Sequence, residues 1–301
     1  MARIKSFSVW NGDMFYILHW SNNFTVIDCC LPTDDDARKN EIIEEIKRLK
    51  DSKSIMRFIS THPDQDHMYW LKELDENINI LNFYCVKNEA TKDDPTEDFQ
   101  HYCKLRDDTK KAFYIYRWCK RKWMNDDDGE VCKIWKAWIH VLWPITDNAD
   151  YLNVLEKARN WESPNNLSPI ITYTINNGPS IMWMGDIESD FMDKIKDVID
   201  LPKTDIVFAP HHGRTSWKIP TEWLKQLNPS LIIIGEAPSD HLDYYNWYNT
   251  ITQNTAKDIT LEITGKNVDI YVGNENYSVD FLNNNWLDDF GNDYYLWTLE
   301  I

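Results

Sequence analysis

No apolar run in this 301-residue chain approaches the roughly 18 residues needed to cross a bilayer. The longest candidates, near Leu231 to Ile234, have the length of sheet strands. The N-terminus lacks the basic and apolar regions of a secretory leader. Six cysteines (Cys29, Cys30, Cys85, Cys103, Cys119 and Cys132) show none of the paired short spacings of a zinc ribbon. These absences predict a soluble protein of a reducing cytoplasm with no membrane partner. Its nine glycines never gather into a flexible stretch, and neither a repeat nor a low-complexity linker interrupts the chain. One domain over 1–301 is therefore expected, large enough for one sizeable core. Positive charge is also short: 32 Lys and Arg stand against 49 Asp and Glu, a net charge of -17. Such a surface repels polyanions at long range.

A local exception lies at 104–123, where Lys104, Arg106, Lys110, Lys111, Arg117, Lys120, Arg121 and Lys122 face only Asp107 and Asp108. It reads either as a solvated helix face or as a basic patch. Aromatic residues are abundant, with 15 Trp and 15 Tyr, and most of these rings are expected in the core, some on a substrate surface.

Hydrophobic periodicity alternates between two kinds. Ile4 to Trp10, Phe15 to Trp20 and Phe24 to Cys29 read as a strand meander, with turns at Asn11-Gly12-Asp13 and Ser21-Asn22-Asn23. Ile42, Ile43, Ile46 and Leu49 recur at helical spacing within 36–50. Strands follow at 54–60, 78–86 and 135–142, with a helical stretch from about 96 to 122. Further on come a helix at 149–160, a hairpin of 170–175 with 181–184 around Asn177-Gly178, and alternating elements to Ile234. The tail after Phe281 reads as a peripheral strand or cap. Interleaved strands and helices imply a layered α/β (α+β) fold.

The densest chemistry is Thr61-His62-Pro63-Asp64-Gln65-Asp66-His67, between a hydrophobic strand and a helix beginning near Met68. Residues two apart on an extended segment point the same way, so His62 and Asp64 can address one metal while a turn swings Asp66 and His67 toward another. The competing reading is a polar loop in which Asp66 caps the helix. Met184-Gly185-Asp186 and Pro210-His211-His212-Gly213 also close strands, and ligands at successive strand ends can converge on one sheet edge.

These motifs resemble the metallo-β-lactamase superfamily, and within it the soluble hydrolase domain of the ComEC DNA-uptake proteins. Ser8-Val9-Trp10-Asn11-Gly12-Asp13 is similar to that branch's opening Val-Gly-x-Gly-Asp turn, and Phe24-Thr25-Val26-Ile27-Asp28 to the next strand. His62-Pro63-Asp64-Gln65-Asp66-His67 is similar to its metal motif. Asn165-Asn166-Leu167-Ser168, Gly185-Asp186-Ile187-Glu188 and His211-His212-Gly213-Arg214-Thr215-Ser216 are similar to its later motifs, and His241 to its last histidine. The resemblance implies a four-layer αββα sandwich of mixed sheets. Cys29-Cys30 and Arg214 depart from the pattern, and a helical, aromatic and basic insertion at about 89–133 exceeds it. No channel-forming helices accompany the domain, so DNA uptake is not implied.

The expected metal ligands are His62, Asp64, Asp66, His67, Asp186 and His211. Asp64 and the Asn165-Asn166 pair stand where the wider superfamily has histidine, which moves preference toward Mn or Mg, with Zn retained by the histidines, and Mn or Zn is expected. Two such ions about 3.5–4 Å apart would activate a bridging water and clamp the attacking and leaving oxygens of a displacement. Asp186 would bridge, Asp66 would orient the water, and His212 or His241 would stabilise charge or protonate a leaving group. His241 reads equally as a surface histidine. Asn166, Ser168, Ser216, Lys120 and Arg121 are the expected substrate contacts. The expected activity is phosphodiester hydrolysis on a nucleic acid or nucleotide, with Trp118 and Trp123 interleaving the basic stretch. Hydrolysis of an ester, thioester or lactam is the alternative on the same scaffold, and a non-catalytic binding or regulatory role is the third. No particular protein partner is indicated.

Overall fold

The computed structural model describes residues 1–126, 136–175 and 177–301. The chain begins with the expected meander, β1 (Ala2–Ser6), β2 (Phe15–Leu18) and β3 (Asn23–Ile27). Each strand stops earlier than its hydrophobic run. Trp10 and Asn11 are left-handed, and so is Asp28, which closes β3. A two-residue strand β4 (Cys29–Cys30) leads to helix α1 (Asp36–Asp51). Asp35 caps α1 by accepting from the Arg38 N–H, and Ile42, Ile43, Ile46 and Leu49 are buried, as their spacing requires.

Strand β5 (Ile55–Ile59) runs into a short 3-10 turn at Gln65–His67, then β6 (Met68–Tyr69) and helix α2 (Leu71–Ile78). The helix expected from Met68 thus starts three residues later. After β7 (Phe83–Cys85) the expected helix at 96–122 ends as α3 (Glu97–Asp107) and gives way to β8 (Ala112–Tyr114). Asp108 is extended, and the Phe83 N–H takes up the Lys111 carbonyl. The start of the 135–142 strand, the end of the 89–133 insertion and Cys132 lie outside the described residues.

The second half comprises β9 (Ile139–Trp143), α4 (Ala149–Arg159), the hairpin β10 (Ile170–Thr174) and β11 (Ser180–Trp183), α5 (Ser189–Ile195), β12 (Ile206–Phe208), α6 (Thr221–Leu227) and β13 (Leu231–Ile234). There follow β14 (Thr250–Thr252), α7 (Gln253–Ala256), β15 (Ile259–Thr264), β16 (Asn267–Val272) and β17 (Tyr294–Glu300). The tail is therefore a strand, at the edge of the larger sheet.

That sheet has nine strands in the order β17-β16-β15-β1-β2-β3-β5-β7-β8, and a six-stranded sheet runs β14-β13-β12-β11-β10-β9; β4 and β6 make a third, two-stranded sheet. From β3 to β8 the pairing is parallel, as it is from β11 to β14. Alternation along the larger sheet divides the core in two. Tyr16, Phe24, Val26 and Phe58 pack with α1, α2 and α3, whereas Phe15, Ile17, Ile27 and Ile59 join the cluster that includes the six-stranded sheet. Phe15 meets Trp183 and Phe208 edge-on, placing the two sheets face to face. On the far side of the smaller sheet Trp143 meets Tyr151 of α4 and Phe191 of α5. The fold is a mixed α/β sandwich with helices outside both sheets. No described helix is long and apolar enough to cross a membrane.

Tryptophan departs from expectation. Trp143, Trp183 and Trp223 are buried, but Trp10, Trp20, Trp118, Trp123, Trp161, Trp247 and Trp286 stand in solvent.

Candidate metal centre

Both sheets turn the carboxyl ends of their parallel strands toward one place. Ile27 of β3 pairs with Ile59 of β5, so Asp28 and the segment Ser60 to His67 emerge side by side. From the smaller sheet β11 delivers Asp186 and β12 delivers His211 and His212. Gly185, at φ +52°, makes the bend before Asp186; a Cβ there would come within 2.6 Å of Ser168 Oγ and 2.9 Å of the Thr61 Cβ. His211 and His212 are both left-handed, at φ 50° and 57°. Two consecutive residues in this region are costly, a form of strain that gathers at functional sites.

Asp66, His67, Asp186 and His212 offer ligand atoms that all lie within 4.8 Å of one another. His67 Nε2 is 3.0 Å from Asp186 Oδ1, and His212 Nε2 is 3.4 Å from Asp66 Oδ2. The other Asp186 oxygen, Oδ2, faces His211 Nδ1 at 3.5 Å, His62 Nε2 at 3.8 Å and His212 Nε2 at 3.9 Å. His67 Nε2 and Asp186 Oδ1, although close, are not aligned for a hydrogen bond, and His62 Nε2 and His212 Nε2 are likewise buried with no hydrogen-bond partner. Leaving a buried polar atom unsatisfied costs about 1–3 kcal/mol. Three of these atoms belong to the group of His67, Asp186 and His212 with Asp66, and such a set fits a bound cation, which accepts lone pairs from several ligands at once.

The outward nitrogens are held by a second layer. His67 Nδ1 lies 2.9 Å from Asp28 Oδ2, and His212 Nδ1 lies 3.2 Å from Asp13 Oδ1. These carboxylates accept the Nδ1–H, which leaves each Nε2 lone pair facing inward. Asp28 is itself fixed by the Thr61 N–H at 2.7 Å and hydroxyl at 2.6 Å. His62 Nδ1 lies 3.1 Å from Thr61 Oγ1 and 3.3 Å from Ser168 Oγ, which also accepts the Asp186 N–H at 3.0 Å.

Charge follows the same layout. Burial disfavours an imidazolium at His67, but Asp186 and Asp28 outweigh it and hold its pKa well above the usual range. At His212 burial is overcome by Asp13 and Asp186, and the pKa rises to about 10. His62 is pushed down to about 4 by burial and by the neighbouring His67. Burial would raise the pKa of Asp186, but His67 and His212 hold it well below the carboxylate range. The charge that His67 and His212 carry when protonated equals that of one divalent ion.

Of the residues singled out from sequence, His62, Asp66, His67, Asp186, His211 and His212 come together. Ser168 supports His62 and Asp186. Asp64 does not join them, because its carboxylate binds Lys92 at 2.9 Å and caps the 3-10 turn through the Gln65 N–H. The His241 ring is 65% exposed and pairs with Asp240 at 3.7 Å, so it is a surface histidine. Asn166 holds the start of α5 through both the Glu188 side chain and N–H, and Ser216 is exposed on the turn Thr215–Trp217. Lys120 is exposed, and Arg121 lays its guanidinium over Phe113, 4.6 Å from the ring centroid. Among the described residues no hydrogen bond or ion pair joins either to the cluster. Asp13 and Asp28 figured in the motifs without a role. Their signal was position: each ends an apolar strand or turn with a lone carboxylate.

A cavity of about 770 Å³ adjoins Asp66 and is lined by Trp10, Leu31, Tyr69, Asp34, Asp35 and Glu236 among others. Asp64 and Asp66 add to its negative wall, and Arg38, bound to Asp258, is the one cation among the described residues that line it. Neither a family model nor a curated protein matches the chain.

Proposed function

We propose that this chain is a metal-dependent hydrolase of the metallo-β-lactamase type, acting on a phosphodiester in a small nucleotide. The observation that carries the reading is the gathering of Asp66, His67, Asp186 and His212 ligand atoms within 4.8 Å of one another, with buried nitrogens of His67 and His212 lacking a hydrogen-bond partner. The αββα layering and the position of the cluster at the carboxyl ends of parallel strands support it.

Asp66, His67, Asp186 and His212 would hold one divalent ion, Mn or Zn. His62 and His211, which face the other Asp186 oxygen, would hold a second. Such ions supply Lewis acidity and bring the pKa of water toward neutrality. The protein's own residues do the rest. Asp28 and Asp13 keep His67 and His212 in one tautomer, and Ser168 fixes both His62 and the Asp186 backbone. His67 and His212 would bind a cation as neutral rings, so their protons would be released on binding.

The acidic wall of the adjoining cavity disfavours a long polyanion, and among the described residues no hydrogen bond or ion pair joins Lys120 or Arg121 to the cluster. This favours a compact substrate over a nucleic acid strand. The same acidic wall keeps an uncharged ester, thioester or lactam as the second reading. A panel of a cyclic dinucleotide, an oligonucleotide, an activated phosphodiester, a thioester and a chromogenic lactam, each with Mn²⁺ or Zn²⁺, tests the choice. Turnover of the cyclic dinucleotide above the oligonucleotide is expected. Turnover confined to the thioester or lactam replaces the first reading with the second, and no turnover with no bound metal removes both.

A further inference from the structure

Among the described residues eight tryptophans have a left-handed backbone: Trp10, Trp70, Trp118, Trp123, Trp138, Trp161, Trp247 and Trp286, at φ between 55° and 81°. For a bulky L-residue this region is a genuine outlier, and glycine is its ordinary occupant. Bulk and aromaticity do not explain the preference. Of 15 tyrosines only Tyr245 has positive φ, and none of 11 phenylalanines does.

The eight are also placed as glycines are. Six of them are exposed, Trp247 completely, and none takes part in a ring–ring contact among the described residues. The buried tryptophans Trp143, Trp183 and Trp223 have negative φ. Trp161 is the sharpest case. It follows the Asn160 cap of α4 at φ 66°, the Asn160 N–H reaches the Glu156 and Lys157 carbonyls, and the Glu162 N–H reaches back to the Lys157 carbonyl at 3.1 Å. That is the Schellman ending of a helix, whose left-handed position belongs to glycine or asparagine. The chain's other left-handed helix ends, at Asn79 and Asn228, use asparagine. Glycine itself numbers only nine in 301 residues, well below an average share of about 7%.

We infer that these eight positions are glycine in the protein as its own cell makes it. One cause accounts for all of them: a single codon that is written as tryptophan and decoded as glycine. UGA is the candidate, since it differs from the tryptophan codon UGG only in its third base. The inference stands whatever the metal centre does, but it alters that centre's surroundings. Trp10 lines the cavity beside Asp66, with its N–H on Glu236 at 2.9 Å. Trp70 follows β6 directly and caps α2, with its N–H on Asp98 at 3.0 Å. With glycine at both, the backbone hydrogen bonds remain, and the mouth of the cavity loses the Trp10 indole.

The gene and the native protein decide it. UGA is expected at the eight codons and UGG at Trp143, Trp183 and Trp223, and peptide masses of protein purified from its source are expected to show glycine at positions 10 and 161. UGG throughout, or tryptophan in those peptides, overturns the inference. In recombinant protein, Trp161→Gly and Trp247→Gly are expected to raise the thermal midpoint, whereas Trp143→Gly lowers it. A fall at all three would mean that the exposed rings are native packing, and would equally overturn it.

Discussion

Asp28 Oδ2 sits 2.9 Å from His67 Nδ1, on the side of the ring away from the cluster. Among the described residues the carboxylate makes no hydrogen bond or ion pair with another ring of the cluster, yet it accepts the Nδ1–H of His67 and so turns Nε2 inward. Removing such a partner typically costs 10–100-fold in metal affinity. Asp28→Asn is therefore expected to weaken metal binding by about that factor while the fold persists. Equilibrium dialysis with metal analysis reads the affinity, and circular dichroism reads the fold. An unchanged affinity would show that Asp28 serves the strand end alone.

His67→Ala and Asp66→Ala act on the cluster itself. Each is expected to abolish metal-dependent turnover with secondary structure retained. Stoichiometric metal in either variant, measured by elemental analysis, would place the ion elsewhere.

Chelation offers a test without mutation. A ligand that binds only the folded state stabilises it by about 2.7 kcal/mol at a concentration one hundred times its dissociation constant. Removing the metal is therefore expected to lower the thermal midpoint by several degrees, and adding Mn²⁺ or Zn²⁺ to restore it. A midpoint indifferent to both would leave the unsatisfied histidine nitrogens without an occupant.

Lys120→Ala with Arg121→Ala is expected to leave turnover of a small nucleotide unchanged. The Arg121 contact with Phe113 is a packing interaction worth about 0.5–1 kcal/mol at an exposed site, so a small loss in urea midpoint is the expected effect. A several-fold rise in KM on oligonucleotides alone would reinstate the basic stretch as a guide for a strand.

Asp75 gives the fold an acid limit. Burial would raise its pKa, but His101, the Ile80 N–H and Lys111 hold it below the ordinary carboxylate value. A depressed carboxylate contributes stability above its unfolded pKa, and that contribution disappears as pH falls through the folded value. Asp75→Asn is expected to destabilise the protein at pH 7 and to match the unmutated chain at an acid pH below the folded value. Urea midpoints at the two pH values check this, and a deficit that persists in acid would assign the loss to packing.

The alternation of apolar residues made the first three strands, α1 and the ends of β5, β11 and β12 legible, because burial against one face imposes a period. Motif density at 61–67 and the histidines at 211–212 made most of the cluster legible for a related reason: few folds place so many ligands together without a use for them. Strands β6 and β8 were illegible, since two or three residues cannot display a period. The basic run at 104–122 mimics a continuous helix face, and only the extended Asp108 stops it. Asp64 misled because residues two apart share a direction only on extended chain, and here the segment curls into a turn where Lys92 claims the carboxylate. Asp13 and Asp28 could be seen as single acids but not as supports, because their partners lie 199 and 39 residues away.

Asp66 and His67 descend from the nine-stranded sheet, Asp186 and His212 from the six-stranded one. An ion among them is a rivet through both layers, so parting the sheets means tearing it out. Exchange of amide protons in β5 and β11 should then slow together on loading, two distant stretches of chain behaving as one piece.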